Sequence, residues 1–61
     1  MDKLAYSVDE VAELLSLGRT KVVALVSSGE ILSIKVGGRR LIPRQDLFAF
    51  IERMRALPEA V

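Results

Sequence analysis

The sequence contains no cysteine, histidine or tryptophan, and only three of its residues are aromatic. Without Cys and His, the chain cannot form disulfides, thiolate nucleophiles, imidazole bases or the usual zinc sites. No uninterrupted apolar run exceeds five residues, which excludes a membrane-spanning segment of about 20 residues. The N-terminus leads into no apolar h-region, so no signal peptide is predicted and we expect a cytoplasmic protein.

The small size of the chain limits its architecture. Folding of 61 residues buries roughly 60% of the accessible surface, which suits a single domain. We therefore predict one domain over residues 1–61, with a core between about residues 4 and 55 and frayed residues 58–61 after the last proline. A ligand-sized cleft is not expected in so short a chain. Accordingly, the sequence predicts no metal, no cofactor and no small-molecule ligand.

The net charge of +1 conceals a basic segment. Residues 19–44 carry six Lys and Arg residues against Glu30 alone and have a net charge of +5, whereas the segments before and after are negative. A local basic block of this kind indicates a directed surface for a polyanion. A solvated protein surface is the alternative interpretation.

Two short helices are predicted in the first half of the chain. Ser7-Val8-Asp9-Glu10 is a capping box, after which Val8, Val11, Ala12 and Leu15 recur at helical spacing. A second helix is predicted from Arg19 to Ser28, with Gly29 as its left-handed cap. Because only Ser16-Leu17-Gly18 separates them, the pattern is that of a helix-turn-helix. The sequence leaves open whether the residues up to Tyr6 form a strand that pairs with another subunit.

The second helix has two different faces. Val22, Leu25 and Val26 cluster on one side and are predicted to face the core. The opposite side has small residues flanked by cations, a surface that can lie close to a DNA groove. Its members are Arg19, Thr20, Lys21, Val23, Ala24 and Ser27. The alternative interpretation is that this side binds no ligand and is an ordinary exposed surface of small residues.

A β-hairpin and a third helix are predicted after Gly29. Branched apolar residues flank Gly37-Gly38, a pair that tolerates the positive φ angles of a tight turn. Lys35, Arg39 and Arg40 crowd around that turn, which favours contact with phosphates or the minor groove over a role in solubility. Pro43 ends the second strand. The helix that follows, from about residue 44 to 57, carries four predicted core residues: Leu47, Phe50, Ile51 and Met54.

Four apolar residues exceed what this core is expected to enclose. They are Leu4, Leu14, Phe48 and Leu57. Exposed apolar surface of this kind favours self-association, although scattered surface hydrophobes are also common.

Several segments, in this order, resemble the excisionase-type, MerR-like winged helix-turn-helix family over about residues 4–55. The segments are Tyr6-Ser7-Val8-Asp9-Glu10-Val11-Ala12-Glu13-Leu14-Leu15, Gly18-Arg19-Thr20-Lys21-Val22, Gly29-Glu30-Ile31, Val36-Gly37-Gly38-Arg39-Arg40 and Ile42-Pro43-Arg44-Gln45-Asp46-Leu47. The resemblance implies an α+β fold: a helix-turn-helix, a two-stranded basic wing and a C-terminal helix.

By the same resemblance, the second helix enters the major groove and the wing follows the backbone or the adjoining minor groove. This assigns Arg19, Thr20, Lys21, Val23 and Ala24 to the recognition helix, to which helical spacing adds Ser27. It assigns Lys35, Gly37, Gly38, Arg39 and Arg40 to the wing. Apart from the resemblance, Arg44 is a candidate for a further phosphate contact. The chain departs from the family at three positions. Gly18 stands where relatives often have a Ser cap, and Val23 and Ala24 stand where they often have Tyr and Arg. Since Val23 and Ala24 cannot donate hydrogen bonds, we expect limited direct base readout.

The residues predict no enzyme, because the sequence contains no base that could activate a serine, and the resemblance implies a DNA-binding function. We expect an excisionase, or recombination directionality factor, that binds and bends attachment-site DNA for an integrase in a phage or mobile element of a bacterial host. Its expected partners are double-stranded DNA, the integrase and further copies of itself. A small phage or plasmid transcription regulator is the alternative, although a MerR-type regulator needs a dimerisation helix for which the sequence offers no segment. A protein-interaction module with an acidic partner is the alternative from another class.

Overall fold

The computed structural model describes residues 3–57 and arranges them as three helices and one three-stranded antiparallel sheet. The fraying predicted for residues 58–61 falls outside these described residues. The fold confirms the predicted small α+β winged helix-turn-helix. In chain order the elements are β1 (Ala5–Ser7), α1 (Val8–Leu15), α2 (Arg19–Ser27), β2 (Ile34–Val36), β3 (Arg39–Pro43) and α3 (Arg44–Ala56).

Helix α1 begins at the predicted capping box. The Ser7 Oγ accepts a hydrogen bond from the Glu10 N–H (3.1 Å), and the Ser7 N–H donates to Glu10 Oε1 (2.9 Å). Lys3 Nζ donates to Glu10 Oε2. The Lys3 hydrogen bond, followed by that from the Ser7 N–H, holds the pKa of the Glu10 carboxyl below its ordinary value. These bonds fix the start of α1 directly at the end of β1.

The turn between α1 and α2 uses a left-handed residue. Ser16 ends α1 with a φ of 58°, and the Leu17 N–H donates to the Ala12 carbonyl oxygen (2.9 Å). Gly18 then precedes α2 in an extended conformation and provides no side-chain cap. Because the chain turns within three residues, α1 and α2 pack against each other as the sequence predicted.

Helix α2 ends one residue before its predicted end, and Ser28 is its C-cap. Gly29 has a φ of 85°, which confirms its predicted left-handed conformation. The following Ile31 N–H donates to the Leu25 carbonyl oxygen (3.2 Å), and the Ile31 side chain is buried. The turn thus returns the chain to the core before the hairpin starts.

Strand β3 is the central strand of the sheet, with β2 on one side and β1 on the other. The β2–β3 pair is the predicted hairpin, in which Ile34 lies opposite Leu41. The β1–β3 pair adds a third strand to the predicted two-stranded wing, with Tyr6 opposite Ile42. The strand that the sequence left open therefore pairs within the same chain.

The core is formed by α1, α2, β3, α3 and the loop residue before β2. Val8, Leu15, Leu25, Val26 and Ile51 are partly buried against it, as their helical spacing predicted. Its buried members are Val11, Ala12, Val22, Ile31, Ile42, Leu47 and Phe50.

The prediction that Met54 belongs to the core is wrong. Met54 is 38% exposed, whereas Leu47 and Phe50 on the same helix are buried. At a rise of 1.5 Å per residue, Met54 lies about 10 Å further along α3 than Leu47. The core adjoins the first turns of α3, so the helix passes beyond it before Met54.

The four residues expected to exceed the core are all exposed. The exposed fractions are 80% for Leu4, 59% for Leu14, 56% for Phe48 and 56% for Leu57. The self-association that they favour stays a prediction. Within residues 3–57, the longest helix has 13 residues and is too short and too polar to cross a membrane.

Candidate nucleic-acid interface

Helix α2 turns one side toward the core and the other toward solvent. Val22 is completely buried, and this anchor fixes the rotation of the helix. With Val22 inward, every residue predicted for the recognition surface is exposed. These residues are Arg19, Thr20, Lys21, Val23, Ala24 and Ser27.

The β2–β3 hairpin projects its cations from a type I′ turn. Gly37 and Gly38 have φ angles of 56° and 83°, and positive values at both central residues match the right-handed twist of the two strands. The register places Lys35 directly opposite Arg40, and both are exposed. Like charges directly opposite each other destabilise a strand pair. The pair therefore concentrates positive charge on the hairpin.

Ion pairing distinguishes the cations of α2 and the hairpin. Of the five cations predicted there, only Arg19 has a carboxylate partner in the described part of the chain, since its Nε donates to Asp9 Oδ1 (2.7 Å). Arg40 Nη1 donates to a neutral group, the Ser33 Oγ (2.9 Å). The hairpin therefore retains uncompensated positive charge.

The cations on other elements are engaged by the protein itself. Arg55 on α3 pairs with Glu52 (2.8 Å). Arg53 lies over the Phe50 ring, with 5.9 Å between its guanidinium carbon and the ring centroid, and donates to the Glu30 carbonyl oxygen. These contacts account for cations outside the basic segment.

A recess of about 220 Å³ brings α2 and the hairpin together. One wall comes from the start of α1, and the others come from the first residue of α2 and from β3. The lining residues are Ser7, Val8, Asp9, Arg19, Arg39 and Arg40. Three arginines that were predicted as site residues, one on α2 and two on β3, thus surround one concave surface.

Ser7, Val8 and Asp9 line the recess although the sequence did not indicate them as site residues, and Asp9 is the charged one. The helix dipole already favours a carboxylate in the first turn of α1, so the local sequence gives no reason to assign Asp9 to a binding site. Arg19 follows ten residues later, beyond a turn, and no local pattern links the two. Only the packing of α1 against α2 reveals their contact.

Arg44 lies apart from these cations. It begins α3, is partly buried, and its N–H donates to the Leu4 carbonyl oxygen (2.8 Å). Arg44 comes five positions after Arg39, which corresponds to about 17 Å along an extended strand. Arg44 therefore lies outside the recess, at the end of β3 opposite Arg39.

These features define a class: a winged helix-turn-helix domain, in which the first residue of an exposed helix and two arginines of a basic hairpin line one recess. The family model described as "Helix-turn-helix domain" matches residues 5–55. The chain belongs to this family, which is of the DNA-binding type.

A named relative is similar over nearly the whole chain. The sequence is 42% identical over 59 residues to a protein from Saccharopolyspora erythraea named "Probable excisionase". The match covers 97% of this chain and 60% of the relative, so the chain spans less than two thirds of the relative's length. No solved structure matches the chain. The likeness confirms the resemblance to excisionase-type helix-turn-helix domains.

Proposed function

We propose that this chain acts as an excisionase: it binds and bends attachment-site DNA so that an integrase carries out excision. The observation that carries this proposal is the convergence of Arg19, Arg39 and Arg40 on one recess beside the exposed side of α2. The 42% identity to a protein named as a probable excisionase supports it. In this function the chain contributes binding geometry and catalyses no bond change itself.

Helix α2 is proposed to occupy the major groove. Arg19 and Thr20, at its start, reach base edges, and Lys21 reaches a phosphate. The methyl groups of Val23 and Ala24 contact thymine methyl groups, while Ser27 lies further along the same exposed side. This set provides few hydrogen bonds to bases, so the shape of the DNA contributes part of the specificity.

The hairpin is proposed to follow the backbone and the adjoining minor groove. Lys35, Arg39 and Arg40 contact phosphates, and the positive φ angles of Gly37 and Gly38 form the tight turn that presents these cations. Arg44 supplies a phosphate contact beyond β3. Binding in two adjoining grooves favours a bend in the duplex. Further copies on neighbouring sites, the integrase partner and a bacterial cytoplasmic location belong to the same proposal.

The first experiment measures DNA binding as a function of salt. Fluorescence anisotropy is recorded for a labelled duplex from the DNA flanking the gene and for a random duplex of equal length. With the five phosphate contacts proposed above, we expect a slope of about −4.5 in log K against log salt, and tighter binding to the flanking duplex. Absence of binding to both duplexes at low salt would overturn the proposal and favour an acidic protein partner.

The second experiment separates excision from gene regulation. A plasmid carrying paired attachment sites is incubated with the integrase, with and without this protein, and the excised circle is measured. Energy transfer between dyes at the two duplex ends reports bending. We expect stimulated excision together with a bent duplex. Specific binding that represses a promoter but leaves excision unchanged would instead indicate a transcription regulator.

A further inference from the structure

The contact between Asp9 and Arg19 places a negative charge inside a surface that otherwise attracts DNA. The Asp9 side chain is 75% exposed and the Arg19 side chain 66%, and both line the recess with Arg39 and Arg40. Such an exposed pair contributes little to folding. An acid at this position also weakens the attraction of the recess to phosphates. Neither folding nor general DNA attraction therefore accounts for the contact between Asp9 and Arg19.

The geometry determines which Arg19 donors remain for DNA. The contact to Asp9 Oδ1 uses Nε (2.7 Å), and the four N–H donors of Nη1 and Nη2 lie at the outer end of the guanidinium. Two donors at that end match the O6 and N7 acceptors of a guanine in the major groove. Holding the guanidinium in place beforehand also reduces the side-chain freedom lost on binding.

The charge of the pair favours a base over a phosphate. Arg19 and Asp9 together are neutral, so a phosphate gains little net attraction and is repelled by the carboxylate. A base edge is an uncharged acceptor and requires only correctly placed N–H groups. The hairpin cations Lys35 and Arg39 have no such acidic partner within residues 3–57 and keep their attraction for phosphates.

We propose that Asp9 is a positioning residue that determines sequence discrimination: it holds Arg19 for a base edge and withholds it from the backbone. This inference rests on the proposed DNA-binding function. Asp9 itself need not touch the DNA. Without it, Arg19 becomes one more mobile cation, which binds phosphates of any sequence.

The test compares two substitutions that remove the same charge from the same helix. Asp9→Ala removes the contact, whereas Glu13→Ala removes an exposed acid one helical turn further along α1. The probes are a random duplex and a duplex selected from a random 20-base-pair pool by the unaltered protein, with the pool length being about two helical turns. For Asp9→Ala, the ratio of the two affinities falls about tenfold, and the slope on random DNA steepens by about one. For Glu13→Ala, both affinities change by the same factor.

Further variants connect the effect to Arg19. Asp9→Glu restores discrimination because it restores the carboxylate, and Asp9→Ala has no additional effect on discrimination in an Arg19→Ala background. Circular dichroism melting verifies that each variant is folded. Asp9→Asn is a second variant without the negative charge, and its side chain keeps nearly the same shape. Equal affinity ratios for Asp9→Ala and Glu13→Ala would overturn the inference alone. Absence of DNA binding by the unaltered protein would overturn the proposed function as well.

Discussion

Arg39 lies directly after the Gly37-Gly38 turn, is exposed, and has no ion-pair partner within residues 3–57. Arg39→Gln removes one charge from the hairpin. We therefore expect the affinities for target and random duplexes to fall by the same factor, and the salt slope to become shallower by about one. Anisotropy titrations of both duplexes at several salt concentrations measure these two quantities.

The matched control for Arg39 is Arg55. Arg55→Gln removes the same formal charge from α3, where the side chain pairs with Glu52 (2.8 Å). We expect the salt slope to remain unchanged in this variant. If both variants reduced the slope equally, binding would depend on net charge and the contact assigned to Arg39 would be wrong.

At the residue scale, the sequence predicts which side chains are exposed better than it predicts their partners. The exposure of Thr20 and Val23 follows from helical spacing once Val22 is taken as buried. The pairing of Arg19 with Asp9 depends instead on how two helices pack across a turn. A contact of that kind has no local signal and requires the structure.

At the element scale, the two glycines of the hairpin turn have different requirements. Gly37, with a φ of 56°, lies in the left-handed region that Asn tolerates, whereas Gly38, with a φ of 83°, excludes a β-branched residue. We expect Gly37→Asn to bind DNA as the unaltered protein does. Gly38→Val introduces strain of about 1–2 kcal/mol and displaces the hairpin cations, so we expect affinity to fall about tenfold.

Two measurements distinguish a local change in the hairpin from general unfolding. Anisotropy gives the DNA affinity, and far-UV circular dichroism at the same temperature shows whether α1, α2 and α3 are retained. Retained helices with weakened binding support the assigned role of the turn. Gly38→Val binding as tightly as Gly37→Asn would show that the hairpin geometry is not needed for the interface.

The sequence predicts elements whose signals are local. The capping box of Ser7 and Glu10 and the Gly37-Gly38 turn involve neighbouring residues, and both occur as predicted. Strand β1 spans only Ala5–Ser7, too few residues to show an alternating pattern. It becomes a strand because β3 is available beside it, which is a long-range condition.

At the scale of the whole molecule, one core supports both parts of the candidate interface. Val22 fixes α2 and Ile42 fixes β3, and both side chains are fully buried in the same cluster. The positions of the recognition helix and of the hairpin are therefore coupled through packing. The sequence predicts the overall fold because each element has its own local pattern. It misplaces Met54 because membership of the core depends on where α3 passes the other elements.

That core gives a direct test of the molecular architecture. Leu47 is 3% exposed and Met54 is 38% exposed, although both occupy the apolar stripe of α3. Leu47→Ala leaves a cavity and costs about 2–5 kcal/mol, which is comparable to the entire stability expected for a domain of this size. Met54→Ala shortens a side chain that solvent partly reaches and leaves no enclosed cavity, so we expect a smaller loss of about 1 kcal/mol. Urea unfolding followed by circular dichroism measures both free energies, and equal losses would place the core further along α3 than the structure does.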